Sequence, residues 1–361
     1  MPEKHKLGSN NREVTICDIA AKLGISASAV SQALKGTGRI GNETRERVRK
    51  IAGEMGYRPS LVARSLVTQR TSTIGVVVPV MGDTHYSRML DGIESVVSKR
   101  GYNVILCSFN SDYGCTEDSY HSLLNRRVEG IITAPLFTDT SYQQTIQVLL
   151  GLEARGFPVV VLDQNNLDPG LSTVSSDNYS GAKKMAEHLI SLGHKRIGYL
   201  QVDVSRHDRE NGFKDAMYEA GLEVDEPVFA SIRTTGPRDS DPVIESFAQY
   251  MRDAGKPTAV FVTCDMLAIK IIRACHVLNI RVPEDLAVVG YDDILTSEHT
   301  IPSLTTVHQP AFEMGVRAAE VLFDRIAGRL DKHVNVVLKS RLVIRESCGA
   351  DISARGKALL E

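Results

Sequence analysis

Apolar positions recur along the chain first with the spacing of helices and then with that of buried strands. Ile16, Ile19, Ala20 and Leu23 share one face of a helix that starts after Thr15, with Asp18 three residues on as the reciprocal capping partner. Gly24, Ile25 and Ser26 make a short turn. Ser26 then caps a second helix that runs to about residue 35, with Val30, Ala33 and Leu34 as its inward stripe. After a Gly-rich loop, Gly41 or Asn42 caps a third helix over 43–55, whose Val48, Ile51, Ala52 and Met55 complete a small three-helix core. Residues 57–72 read as a linker that holds a helix-capable run, 61–67. From 73 onward, β-branched runs at 74–78, 104–107, 130–133, 159–162, 197–200, 228–232, 259–262 and 286–290 alternate with helical stretches. This is the pattern of parallel sheets wound in βαβ units. Eight runs plus a C-terminal pair, 334–338 and 341–344, are too many for one sheet, so two lobes are expected.

Composition narrows the class. With 361 residues, 42% of them hydrophobic and 24% charged, the chain has a sizeable core and more than one domain, which excludes fibrous and disordered proteins. It has no apolar run of membrane-spanning length and a polar start over 1–12, so a cytoplasmic location is expected. Six scattered cysteines suggest reduced thiols rather than a disulfide scaffold or structural zinc. The net charge of −2 hides an asymmetry: 13 Lys and Arg face 6 Asp and Glu over residues 1–70, against 29 and 38 over the rest. The basic end therefore suits a polyanion.

A helix, a short Gly-containing turn and a second helix form a helix-turn-helix pattern, in which the second helix enters the major groove. Its outward face carries Ala27, Ser28, Ser31 and Gln32, and glutamine suits bidentate contact with adenine. Lys22, Lys35, Arg39, Arg45, Arg47, Arg49 and Lys50 supply charge for phosphates. A plain three-helix cap with a solvated basic face would show the same pattern. Two other signals carry little. Gly36, Gly38 and Gly41 match Gly-x-Gly-x-x-Gly but follow a helix rather than a strand, and His194 has no nucleophile elbow or evident partner.

Specific strings go further. Val14 through Ser26, Ala29-Val-Ser31, Glu43-Thr-Arg-Glu-Arg-Val48, Gly56-Tyr-Arg-Pro59 and Ala63-Arg-Ser-Leu66 resemble the headpiece and hinge of lactose-repressor/galactose-repressor (LacI/GalR) regulators. The likeness continues through Ile74-Gly-Val-Val-Val-Pro79, Asp177-Asn-Tyr-Ser-Gly-Ala182, Gly193-His-Lys-Arg-Ile197, Arg209-Glu-Asn-Gly-Phe213, Val289-Gly-Tyr-Asp-Asp293 and Leu304-Thr-Thr-Val307. It covers residues 14 to about 345. The resemblance implies an all-α helix-turn-helix headpiece (1–57), a hinge helix and linker (58–72), and an α/β periplasmic-binding-protein-like core (73–345), ahead of a polar tail (346–361). That core has two doubly wound parallel-sheet lobes, interleaved with crossovers near 175, 309 and 335. It also implies a non-enzymatic, homodimeric transcriptional repressor that needs no cofactor or metal and binds pseudo-palindromic double-stranded operator DNA. The alternatives on the same core are a sugar-binding protein and a sugar-processing enzyme.

Carried over residue by residue, the DNA-contacting set is Thr15, Ser26, Ala27, Ser28, Ala29, Ser31, Gln32, Arg39 and the hinge wedge Leu66. The hinge run 61–67 is too short to be a stable helix alone and is expected to order against its twin and DNA, although an ordinary linker helix packed on the core has the same pattern. The effector set is Tyr86, Thr133, Asp163, Arg209, Cys264, Asp292 and Gln309. Carboxylates with a forked guanidinium suit vicinal hydroxyls, so a sugar is the expected effector; equally, Asp163 and Asp292 could cap helices with Arg209 as a structural bridge. The chain departs from the family pattern at several positions. Ala27 and Gln32 stand where relatives often have a long polar or aromatic residue and Arg, and Ala29 replaces a frequent Thr. Cys264 precedes Asp265 where Asn is usual, and Asp83-Thr-His-Tyr86 replaces Asn-Pro-Phe-Phe. With no Trp to stack on a sugar, Tyr86, Phe137 or Tyr291 are the candidate platforms.

Overall fold

The computed structural model describes residues 14–58, 70–79, 84–109, 117–135, 142–165, 167–201, 207–224, 229–232, 241–253, 255 and 257–350. The hinge run with Leu66, Phe137 and the tail beyond 350 lie outside these residues. Two compact units, Met1–Thr71 and Ser72–Glu361, are each described by themselves.

In the first unit, α1 (Ile16–Leu23), α2 (Ala27–Lys35) and α3 (Asn42–Glu54) enclose Ile19, Ala20, Val30, Ala33, Val48 and Ala52. Thr15 forms the expected capping box: its Oγ1 accepts from the Asp18 backbone N–H, and the Asp18 carboxylate accepts from the Thr15 N–H at 2.8 Å. The two helices of the motif end on Gly24 and Gly36 at φ +69° and +70°, a left-handed cap that glycine adopts without steric cost.

The second unit holds two parallel sheets. The first has six strands in the order β11–β5–β4–β3–β1–β2: β1 (Thr73–Pro79), β2 (Asn103–Phe109), β3 (Ile131–Thr133), β4 (Val159–Leu162), β5 (Ser172–Ser176) and β11 (Asn335–Leu338). It is covered on one face by α4 (Thr84–Val97) and α11 (Ala311–Ile326), and on the other by α5 (Glu117–Asn125) and α6 (Tyr142–Glu153). The second sheet runs β7–β6–β8–β9, from β6 (Ile197–Gln201), β7 (Phe229–Ser231), β8 (Ala259–Val262) and β9 (Ala287–Val289). α7 (Asn178–Ser191) and α8 (His207–Glu219) pack on one of its faces, α9 (Pro242–Asp253) and α10 (Asp265–Val277) on the other. β10 (Thr306–His308) and β12 (Arg341–Val343) form a separate antiparallel pair.

The chain therefore changes lobe three times: after β5 into α7, after β10 into α11, and after β11 into β12. The C-terminal runs do not pair with each other; β11 joins β5 in the first sheet, and β12 joins β10. No helix among the described residues is long and apolar enough to cross a membrane.

Candidate functional site

In open parallel sheets, side chains just beyond the carboxyl ends of the strands converge where ligands bind. Both sheets supply such residues. In the first lobe, Asp163 directly follows β4 at φ +59°, a left-handed conformation that aspartate tolerates better than most residues. Thr133 ends β3, and its hydroxyl meets the Tyr120 hydroxyl at 3.0 Å. His85 and Tyr86 lie in the first turn of α4. From the second lobe, Asn178 opens α7, Arg209 lies in the first turn of α8, Cys264 caps α10, and Tyr291 and Asp292 follow β9.

A buried polar chain joins the lobes. Gln309, 2% exposed, donates through Nε2 to Asp292 Oδ1 at 2.6 Å and accepts from the Ser176 hydroxyl. Its amide nitrogen also lies 3.5 Å from His85 Nε2, and that imidazole nitrogen is 3.9 Å from Asp163 Oδ2. On the other side, Arg209 Nη2 lies 3.7 Å from Asp292 Oδ1. Arg209 is itself 2% exposed and held on three sides: Nε donates to Asn178 Oδ1 at 2.8 Å, Nη1 donates to the Thr263 carbonyl at 2.5 Å, and the guanidinium lies 3.8 Å from the Tyr291 ring centroid. Burial raises the Tyr291 phenol above its ordinary pKa, so the ring is a neutral platform. Nη2 makes no hydrogen bond among the described residues.

The backbone at this point is strained. Asp292 and Asp293 take φ +120° and +55°, which costs roughly 1–3 kcal/mol per residue. Surrounding contacts hold them there: the Asp292 N–H donates to the Val307 carbonyl at 2.8 Å, and Asp293 accepts from Arg345 Nη2 at 2.7 Å and meets His308 Nδ1 at 2.9 Å. Burial works against the Asp293 carboxylate, yet these two partners hold its pKa below the ordinary value. Behind the loop sits Asp265, fully buried, accepting from Ser297 Oγ and Thr306 Oγ1 at 2.6 Å each and from the Ile294 N–H at 3.1 Å. Burial, and then the charge of Asp292, push its pKa up to about 8.

Of the effector residues named from sequence, Asp163, Arg209, Asp292 and Gln309 fall on this one chain. Tyr86 packs into the apolar cluster beneath α4, with its ring edge-on to His85. Thr133 turns to Tyr120, and Cys264 is half-buried against the apolar cluster of α9 and α10. Sequence reasoning missed His85, Asn178 and Ser176. Asn178 had a usable signal, since it follows Asp177 at the start of a helix where a lobe crossover falls. His85 had none beyond its place before Tyr86.

In the headpiece, Ser28, Gln32 and Arg39 are exposed, whereas Ala27, Ala29 and Ser31 are half-buried, with Ala27 packed on the headpiece core. Thr15 and Ser26 are both helix caps. The Thr15 hydroxyl donates to Asp18 at 2.7 Å, while Ser26 Oγ accepts the Ala29 N–H at 3.1 Å and keeps its own proton for an acceptor. Arg45, grouped above with the phosphate-facing charges, donates from Nη2 to the Gly38 carbonyl at 3.2 Å.

Two family models match the chain: bacterial regulatory proteins of the lacI family over residues 15–60, and a periplasmic binding protein-like domain over 186–348. The HTH-type transcriptional regulator DegA of Bacillus subtilis is 31% identical over 339 residues, which are 93% of this chain and 98% of that protein. A lac repressor dimer bound to operator and the anti-inducer ONPF superposes with a TM-score of 0.80 at 26% identity, covering 94% of this chain and all of that one. A complex of the transcriptional regulator CelR with cellobiose superposes at 0.66 with 28% identity, covering 93% of this chain and all of that one. With a helix-turn-helix headpiece on a two-lobed binding-protein-like core, the chain belongs to the lacI family of DNA-binding bacterial transcriptional regulators.

Proposed function

We propose that the protein is a cytoplasmic repressor whose affinity for a pseudo-palindromic operator is set by a small polyhydroxylated effector, a sugar or sugar derivative, held between the core lobes. Arg209 carries this reading. Its guanidinium is buried and fixed by Asn178, Thr263 and Tyr291, yet Nη2 is left without a hydrogen bond among the described residues, facing Asp292. A buried charged donor left unused is costly, and a ligand hydroxyl removes the cost while donating to Asp292 or Asp163. The effector set is then Asp163, Arg209, Asp292 and Gln309 together with His85, with Tyr86, Thr133 and Cys264 around it. In the headpiece, Ser28 and Gln32 read bases, and Thr15, Ser26, Ala27, Ala29, Ser31 and Arg39 approach the backbone or neighbouring base edges; Leu66 is the minor-groove wedge.

The protein acts as a homodimer, because a two-fold operator is read by a two-fold protein. A surface groove of about 860 Å³ on the second lobe, between α10 and the 279–284 and 300–302 turns, is the candidate face for a second copy. It is walled by Ile269, Ile272 and Ile280 beside Arg273, and Ile301 is 94% exposed at its edge.

Melting the protein against a panel of sugars and phosphorylated sugars tests the effector class, since a ligand at 100 times its Kd stabilises by ~2.7 kcal/mol. Operator titration of Arg209→Ala, with its fold checked by melting, tests the site. The substitution is expected to abolish the roughly 5- to 150-fold effector response while leaving operator affinity without ligand nearly intact. An unchanged response places the ligand elsewhere, and an equal loss of operator binding makes Arg209 structural.

A further inference from the structure

The loop that closes α2 carries a glycine whose environment is unlike that of the other headpiece glycines. Gly24, Gly36, Gly41, Gly53 and Gly56 have open space where a side chain would start. At Gly38, with φ +75°, a Cβ would fall 2.4 Å from Gln32 Oε1, 2.8 Å from its Cδ and 3.3 Å from its Cγ. The exposed Gln32 side chain therefore lies back across the bare Cα of Gly38. The backbone of the loop is tied to the same residue, since the Thr37 N–H donates to the Gln32 carbonyl at 3.0 Å. Arg45 fixes the far side of the loop by donating to the Gly38 carbonyl from α3.

We infer that Gly38 and Arg45 are positioning residues for base selection: Gly38 is the floor on which the Gln32 amide rests, and Arg45 holds that floor in place. The inference rests on the reading of Gln32 as a base-contacting residue. Freely rotating glutamine loses rotamer entropy each time it makes a bidentate contact, and a surface that already restricts it reduces that loss. Any side chain at 38 must displace the amide, because the atom in its way is the far end of a flexible chain and not backbone. The headpiece can stay folded while the reader moves.

The test uses the full-length protein and a selection from randomised operator half-sites, with Gln32→Ala, Gly38→Asn, Gly38→Ala and the double variant Gly38→Asn/Gln32→Ala. Asparagine is the main probe because it tolerates positive φ, so its effect is that of the added Cβ rather than of backbone strain. Gln32→Ala should lose roughly five- to hundredfold discrimination at one position per half-site. Gly38→Asn should lose discrimination at that same position and no other, with an unchanged melting temperature, and the double variant should match Gln32→Ala alone. Arg45→Ala should lose discrimination at that same position, in addition to any uniform weakening from the lost positive charge. A Gly38→Asn protein with the parent's base preferences overturns the inference, as does one that is weakened on all sequences alike. If Gln32→Ala itself keeps the parent preference, the base-reading assignment is what fails, and the positioning role falls with it.

Discussion

Asp265 shows how one buried carboxyl holds up the site without touching its centre. It opens α10, yet its oxygens accept from Ile294, Ser297 and Thr306, which belong to the strained loop after β9 and to the strand that leads to Gln309. Its backbone N–H donates to the Tyr291 carbonyl at 2.7 Å. Burial and Asp292 raise its pKa from 3.8 to about 8, so at neutral pH the folded protein keeps a proton that the unfolded chain has released. A raised folded pKa means that the stabilising contribution is complete below pH 3.8 and is lost as pH rises through about 8. Asp265→Asn cannot titrate and sets one wrong dipole against three donors, so it should destabilise by ~1–3 kcal/mol at pH 5. The gap between parent and Asp265→Asn melting temperatures should then shrink steadily from pH 5 to pH 8. A gap that is constant or widens would show that the carboxyl is ionised in the folded protein.

At the scale of elements, glycines set the distances that the site depends on. A Cβ on Gly212 of α8 would lie 2.2 Å from the Tyr179 carbonyl of α7, and one on Gly315 of α11 would lie 2.0 Å from the Met89 carbonyl of α4. Here the obstacle is backbone, so the helices must separate. α7 and α8 carry Asn178 and Arg209, which are bonded at 2.8 Å. Gly212→Ala should therefore cost on the order of 1–3 kcal/mol and also weaken the effector response, whereas Gly315→Ala, equally tight but in the first lobe, should cost similar stability without disturbing that pair. Melting and effector titration of the two variants separate these outcomes; equal effects on the response would mean that only global stability matters.

The same scale explains what the sequence could reveal. Strands such as Val159–Leu162 and Ala259–Val262, buried on both faces, are continuous apolar runs and can be read directly. β5 is Ser172–Ser176, wholly buried but mostly hydroxylated, and its partners lie far away in sequence: Thr173 Oγ1 donates to Asn335 at 2.7 Å, and Ser172 Oγ accepts the Val334 N–H at 3.3 Å. No local pattern announces such a strand, and β10, Thr306–His308, is hidden for the same reason. Asp163, Arg209, Asp292 and Gln309 were named through the family resemblance, Arg209 and Asp292 within the matching strings themselves. Their linkage through His85 was not, because it depends on side-chain contacts between residues far apart in sequence, His85 with Gln309 and Asp163.

For the whole molecule, the separation of charge assigns the work: a basic headpiece for the polyanion and an acidic core for control. One headpiece reads few bases, so specificity requires two held at a fixed spacing. On the proposed homodimeric reading, the groove on the second lobe is the candidate face for that pairing. Ile301 is almost fully exposed there, and Val277, at the end of α10, is 48% exposed. Exposed apolar surface beside a groove is costly in water unless something covers it, and a second copy of the same face both covers it and satisfies two-fold symmetry. Ile301→Asp places a charge at that contact twice, once per subunit. The variant should sediment as a monomer at micromolar concentration where the parent is expected to be a dimer, and its melting temperature should be lower and independent of concentration. Operator affinity should fall roughly 10²- to 10⁴-fold, the scale of an advantage that comes from tethering two binding modules rather than from any DNA contact of Ile301. Effector binding to the monomer should survive, because Arg209, Asp292 and Gln309 all belong to one chain. An Ile301→Asp protein that remains dimeric would move the interface to another face of the core.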